Sequence, residues 1–376
     1  MKEKESALYS HYIIDGIKCD MTPAELLDEC MHDSDGILEL PEFDDIIDEP
    51  TEVPLSSFVS NNSLHDTYLR QTLAASSNER QFMMLHPEHS TRMQIAKALL
   101  GRLWSEGHFR LGDLRIWAQW EWNTRPIGNM AALYSSIASA SEYIYALGTS
   151  LEDYLFIEGD ESSTAKFYAW LPNSVEPNTF KTSPYESSHP WISETRKYPS
   201  TFINDPDSWI IYIPFDTCQF KLGGSLLAQE NNDNGGKAPG IADPDYFIDC
   251  YEVVRELTED GIIMSGATVA DGGLMTAAAK MCLDCGCNLN INRLCSSYQE
   301  EDTTKILFGE VPGVLIQISD DNYDYIDSQF ILQDVAYFPI GHPTTDHTGV
   351  RVTNTGKNGV AGILASLLGQ ATEGED

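Results

Sequence analysis

Positive charge is scarce in this 376-residue chain: 23 Lys and Arg stand against 58 Asp and Glu, a formal net charge of −35. Such a surface repels phosphate backbones, and the basic residues are scattered rather than gathered into a patch, so nucleic acid is excluded as a partner. Anionic membrane surfaces are disfavoured on the same ground. Long hydrophobic runs are missing too. None approaches the roughly 20 apolar residues of a membrane span, and the segment from Met1 to Asp20 has no apolar signal core. The expectation is a cytoplasmic protein with no membrane partner. The eight cysteines are unevenly placed and form no disulfide framework for a chain of this length. Cys282, Cys285, Cys287 and Cys295 have no second Cys-x-x-Cys pair downstream, so they read as reduced core thiols rather than a zinc site, and no metal ligands are assigned. Neither a Walker loop nor a Gly-x-Ser-x-Gly elbow is present, and no catalytic residue is assigned. His86, His89, His342 and His347 read as surface or turn histidines. Trp117, Trp120 and Trp122 read as core and interface aromatics.

What is present suffices for folding. Hydrophobic residues make up 42% of the chain, and the length suits about two domains. Residues 1–60 are acidic and weakly periodic and read as a tail or linker, most clearly from Glu42 to Pro50. Apolar spacing predicts helices over 63–75 and 90–106. The second carries a stripe of Met93, Ile95, Ala96, Leu99, Leu100 and Leu103 behind a Ser90-Thr91 cap. Residues 114–122 alternate as a strand. Residues 129–147, rich in Ala, Ser and Tyr, form a helix that Gly148 ends. Short strands at 154–157 and 166–171 precede a Pro-, Ser- and Asn-rich loop over 172–207. Beyond it, strands at 208–213, 262–265, 289–291, 313–318, 337–340 and 350–352 intermix with helices at 246–258, 271–285 and 320–332. The fold class is therefore α/β or α+β. The last 20 residues read as a weak helix and an acidic tail.

One ordered series of landmarks is more specific. It runs Asp205-Pro206-Asp207-Ser208-Trp209, Leu222-Gly223-Gly224-Ser225, Ala238-Pro239, Asp243-Pro244, Asp260-Gly261-Ile262-Ile263, Ala270-Asp271-Gly272-Gly273-Leu274, Leu307-Phe308-Gly309-Glu310-Val311-Pro312-Gly313 and Ile340-Gly341. In this order and spacing the chain resembles the AIR-synthase-type C-terminal domain of phosphoribosylformylglycinamidine (FGAM) synthase. Upstream, Gly112-Asp113-Leu114 through Trp120, Gly128-Asn129-Met130 and Ala146-Leu147-Gly148 resemble the nucleotide-binding-type domain before it. The resemblance implies a truncated AIR-synthase-like N-terminal α/β domain over 61–200 and a C-terminal mixed α/β domain over 201–350, with tails at 1–60 and 351–376. It also implies an ATP-dependent ligase of purine synthesis, which forms an amidine from FGAR with ammonia from glutamine.

The residues such chemistry needs are only partly here. Where the family places a Mg²⁺-holding Glu and, four residues on, an Asn on one helix face, this chain has Lys97 and Gly101. The family's Gly-Lys-Asp-Ser stands as Gly159-Asp160-Glu161-Ser162, which reverses a charge and reads as an exposed acidic turn. Its His-Asp pair stands as Ala267-Thr268. Too few residues separate Leu64 from Met93 to hold the strands the family has there. What survives as ligand-binding candidates is Gly223, Gly224, Ser225, Asp271, Gly272 and Gly273. Each glycine pair reads either as a tight turn feeding a helix or as a phosphate cradle. ATP or ADP with Mg²⁺ enters through the resemblance alone. The favoured expectation is a catalytically degenerate scaffold or binding protein, inactive alone, partnered by a second copy or by an FGAM-synthase-type chain. The alternatives are a subunit of a split FGAM synthase completed by other chains, and a regulator that grips a phosphorylated metabolite near Gly223 and Asp271.

Overall fold

The computed structural model describes residues 6–32, 63–78, 80–126, 128–172, 190–233 and 236–353. The chain opens with a short hairpin of β1 (Ile13–Ile14) and β2 (Ile17–Lys18), followed by α1 (Pro23–Asp28). Thr22 and Glu25 form a capping box at the start of α1. Leu27 is fully buried, and the Leu26 carbonyl accepts a hydrogen bond from Ser141 Oγ. Residues 6–32, expected as part of an acidic tail, thus pack onto the molecule. The stretch from Glu42 to Pro50 and residues 354–376 lie outside the described residues.

α2 (Ser63–Ser76) and α3 (Pro87–Arg102) follow, then β3 (Ser105–His108), β4 (Arg115–Asn123), α4 (Asn129–Ala146), β5 (Ser150–Gly159), β6 (Thr164–Trp170) and β7 (Trp191–Arg196). β4 is the centre of a three-stranded sheet, parallel to β5 and antiparallel to β6. Its alternation sets the packing: Ile116, Ala118, Trp120 and Trp122 are all fully buried on one face. The Ser- and Ala-rich character of α4 lets helices and sheet come close. Ser136 Oγ accepts from Trp120 Nε1 at 3.0 Å and lies 2.8 Å from Thr91 Oγ1 of α3. Gly148 ends α4 at φ +67°.

The second sheet is built from β8 (Trp209–Pro214), β9 (Ile263–Val269), β10 (Gly286–Asn290), β11 (Gly313–Ile318), β12 (Phe338–Thr344) and β13 (Val350–Thr353). Their order is β13-β10-β12-β8-β11-β9, antiparallel except for β10 with β13. α5 (Leu226–Glu230), α6 (Pro244–Glu259), α7 (Gly273–Met281), α8 (Asn292–Tyr298), α9 (Thr303–Phe308) and α10 (Tyr323–Leu332) complete the order. β8 and β11 read as unbroken apolar runs because both their faces are covered. Ile211, Ile213, Val314 and Ile316 join the core that contains α6, α3 and β4. Ile210, Tyr212 and Leu315 join a second core with α7.

Several elements depart from the expectations. α3 starts at Pro87, three residues early, because proline suits the first helical turn; His86 is its N-cap residue, and its side chain makes no capping bond. It ends at Arg102, and Ser105 onward is strand. β7 lies inside the expected loop over 172–207 and pairs antiparallel with β3. α7 stops at Met281, since Cys282 leaves helical geometry at ψ 55°. The buried Arg255 guanidinium of α6 ties this region together. It donates to the carbonyls of Leu103 (2.7 Å), Ser105 (2.9 Å) and Gly107 (2.8 Å).

Candidate functional site

The six surviving candidates converge. Gly223 and Gly224 lead into α5, where Ser225 Oγ accepts from the Ala228 amide at 3.2 Å and donates to the Leu222 carbonyl at 2.7 Å. Gly224 has φ +79°, and a Cβ there would lie 2.7 Å from His89 Cδ2. Gly272 and Gly273 begin α7 at φ +78° and +69°, and a Cβ on Gly273 would lie 2.9 Å from backbone atoms of Leu307, Phe308 and Gly309. Both turns need glycine for handedness and for close approach. Asp271 precedes the second turn.

Glu310 joins the two turns. Its side chain is fully buried, and Oε1 accepts from the amides of Leu226 and Gly272, each at 2.8 Å. The amides that could cradle a phosphate at these helix starts are thereby held by the chain's own carboxylate. Oε2 lies 2.8 Å from Arg80 Nη2, an ion pair more than an aligned hydrogen bond. Arg80 also binds an Asp271 carboxylate oxygen and the Gly224 carbonyl. Lys97 Nζ sits 3.0 Å from Asp271 Oδ2. Two carboxylates are thus matched by two cations in a mostly desolvated cluster beside a cavity of about 180 Å³ lined by Gln94, Lys97, Leu226 and Asp271.

The electrostatics follow from these contacts. Burial works to raise the Asp271 carboxyl, but Lys97 and Arg80 together outweigh it and hold it well below the usual carboxylate range. Burial raises Glu310; Arg80 opposes this, and the Asp271 charge adds to it. Burial would lower Arg80, yet Glu310 and Asp271 hold it above its ordinary value. Chemically, the cluster is a closed charge-neutral strut: it carries no excess negative charge for a cation and no excess positive charge for a phosphate.

Comparison with known proteins places the chain. No family model matches it. It is 24% identical over 261 residues to the probable phosphoribosylformylglycinamidine synthase of Arabidopsis thaliana, described as chloroplastic/mitochondrial, covering 69% of this chain and 18% of that protein. It is 23% identical over 275 residues to the human phosphoribosylformylglycinamidine synthase, covering 73% and 20%. The Thermotoga maritima PurL structure complexed with AMPPCP superposes with a TM-score of 0.50 at 11% identity, covering 73% of this chain and 40% of that one. The PurL structure complexed with FGAR gives 0.50 at 12%, covering 72% and 41%. The chain is a divergent relative of FGAM synthase. It spans about a fifth of the length of these curated relatives, and it has the mixed α/β fold of PurL.

Within this FGAM-synthase-like frame, two site residues lie outside the sequence expectations. Arg80 lies in a stretch without periodicity, so nothing in the sequence pointed to it. Glu310 was visible only as one letter of the Phe308-Gly309-Glu310 landmark. Lys97, which stands where the resemblance expects a metal ligand, is the partner of Asp271. The other positions are elsewhere. Asp160 is exposed and pairs with Arg125 at 2.7 Å, in a turn held by Asn123 Nδ2 donating to the carbonyls of Asp160 and Glu161. Thr268 on β9 accepts from Trp104 Nε1 at 3.1 Å. Cys282 Sγ lies 3.5 Å from Cys287 Sγ in the core. His342 Nδ1 lies 2.8 Å from the Ser208 carbonyl, and His347 Nε2 3.0 Å from Asn288 Oδ1. His89, expected at the surface or in a turn, is buried in α3. Among the described residues no group of three or more His, Cys, Asp and Glu could hold a metal ion, and no helix is long and apolar enough to cross a membrane.

Proposed function

We propose that this chain is a catalytically degenerate FGAM-synthase relative of the purine-biosynthesis superfamily, retained as a scaffold or binding protein. The observation that carries the reading is the 3.0 Å contact between Lys97 Nζ and Asp271 Oδ2. An ammonium cannot ligate Mg²⁺, and here it supplies, together with Arg80, the positive charge that a bound metal would bring to Asp271. Two units, over residues 61–200 and 201–350, form the scaffold. The eight free thiols support a reducing compartment, in keeping with the cytoplasm. Thermal unfolding with ATP or ADP, with and without Mg²⁺, tests the reading. The expected result is no Mg²⁺-dependent rise in melting temperature; a rise that grows with nucleotide concentration would refute it.

A second reading, a subunit of a split synthase completed by other chains, is favoured by the intact glycine turns around Glu310, which keep the scaffold in shape. Co-purification from the native host separates the two. A first-half synthase chain in the eluate supports the second reading, whereas recovery as a self-associated particle supports the first. A second copy has a candidate surface on the outer face of the β5-β4-β6 sheet. There Leu155 and Ile157 are 42% and 39% exposed, in register beside Gln119 and Glu121.

A further inference from the structure

α10 presents two faces. Ile326 and Phe330 are buried in the core, whereas Tyr325 and Leu332, seven residues apart on the outer side, are 44% and 76% exposed, with Ile331 beside them at 67%. The Val335 amide donates to the Phe330 carbonyl at 3.0 Å, so the chain turns back tightly after Leu332. It then enters a groove of about 400 Å³, formed by Val335 to Phe338 on one side and by Arg293, Ser297 and Tyr298 of α8 on the other. We propose that this groove and the exposed end of α10 are the docking site of a segment of the same chain, residues 360–368, whose apolar stripe covers Leu332 and the groove mouth.

The topology puts this segment within reach. β13 is the edge strand and runs parallel to β10, with Thr353 opposite Asn290. The Ile291 amide donates to the Thr353 carbonyl at 3.4 Å, and α8 begins at Asn292. β12 is antiparallel to β10, so its first residue, Phe338, lies at the same end of the sheet as Thr353. From β13 across β10 to β12 is two strand spacings, about 10 Å. The six residues from Asn354 to Gly359 are all polar or glycine, and six residues of extended chain span up to about 20 Å.

The sequence beyond that tether matches the surface. Val360, Ile363, Leu364, Leu367 and Leu368 recur at i, i+3, i+4, i+7 and i+8, the spacing of one helix face, with only Ala, Gly and Ser between them. Such a stripe is stable in water only against an apolar partner, and a groove rimmed by exposed aliphatic side chains is the usual one. Exposed Ile331 and Leu332 gain from the same contact. Charge agrees with it. Arg293 is exposed and makes no ion pair among the described residues, and Glu373, Glu375 and Asp376 follow the stripe. Asp334, exposed at the end of α10, opposes those acids, and Lys357 in the tether carries the charge that offsets it. None of these residues belongs to the Glu310 cluster, so a Mg²⁺-dependent nucleotide response would overturn the degenerate reading and leave this groove untouched.

Amide hydrogen exchange of the full chain, read by mass spectrometry, tests the docking. The expected result is exchange over residues 360–368 slowed about tenfold or more relative to the same sequence as a free peptide. Leu332→Asp, at a position too exposed for the fold to depend on it, should return those amides to the free-peptide rate while β8 and β11 stay protected. Arg293→Glu should speed their exchange about threefold at low ionic strength. Free-peptide exchange over 360–368 in the native chain overturns the assignment, and needs no variant to fold. Protection that persists in a folded Leu332→Asp protein overturns it as well, since the segment then lies elsewhere. Protection that fades on dilution, together with a dimer mass by light scattering, gives the surface to a second copy and overturns docking within one chain.

Discussion

Replacing Arg80 with methionine keeps most of the side chain's volume and deletes its charge. In the native chain Arg80 is 12% exposed and neutralises Glu310, which is fully buried, while sharing Asp271 with Lys97. The variant leaves Glu310 with its two amide donors and no cation. Breaking a buried pair from one side costs about 3–5 kcal/mol, chiefly because the remaining charge is stranded. Urea unfolding followed by tryptophan fluorescence should show the midpoint falling at near-constant slope. The pH dependence carries a sign. Glu310 already titrates above the ordinary glutamate value in the native fold, and loss of Arg80 raises it further. A raised carboxyl stabilises the fold only where it is protonated, so the variant is weakest at high pH and regains ground as Glu310 takes up a proton. Asp271 acts in the same direction on the native side: its carboxyl is depressed, so the stability it brings is lost as pH falls below the ordinary aspartate range. The gap between native chain and variant must therefore narrow on acidification. A loss below about 1 kcal/mol, or a gap independent of pH, would refute the picture of a self-neutralised cluster.

Other substitutions probe neighbouring claims. Lys97→Glu sets two carboxylates against each other at a partly exposed position. It should cost about 1–2 kcal/mol after allowance for solvent screening, with part recovered by millimolar Mg²⁺ in thermal melts. Arg255→Leu leaves the carbonyls of Leu103, Ser105 and Gly107 without their donor and should destabilise by about 3 kcal/mol or more in urea titrations. Gly273→Ala forces a Cβ against three backbone atoms at φ +69°; a loss of about 2 kcal/mol or more is expected by the same assay, and a neutral result would mean that the turn relaxes freely.

The second sheet was legible because burial on both faces leaves continuous apolar runs such as Ile210 to Ile213 and Val314 to Ile316. The helix over Asn129–Ala146 was legible from its small residues and closing glycine. The glycine turns were legible as a convergent set, since only glycine tolerates both their handedness and their crowding. Arg80 was not, because its partners lie 144 and 191 residues away and its own segment carries no pattern. Lys97 was read by what it replaced rather than by what it pairs with, and its partner lies 174 residues on. β7 was hidden for another reason. Its residues, Trp191–Arg196, mix polar and apolar types in a Pro- and Ser-rich neighbourhood, and pairing with β3 decides its conformation rather than propensity.

The central claim is that the chain's own cations occupy the charge position of a metal-bound nucleotide. Isothermal titration of the full-length chain with Mg²⁺ and ATP tests it most directly. The account predicts no saturable, Mg²⁺-dependent heat; micromolar binding that disappears when Mg²⁺ is chelated would contradict it.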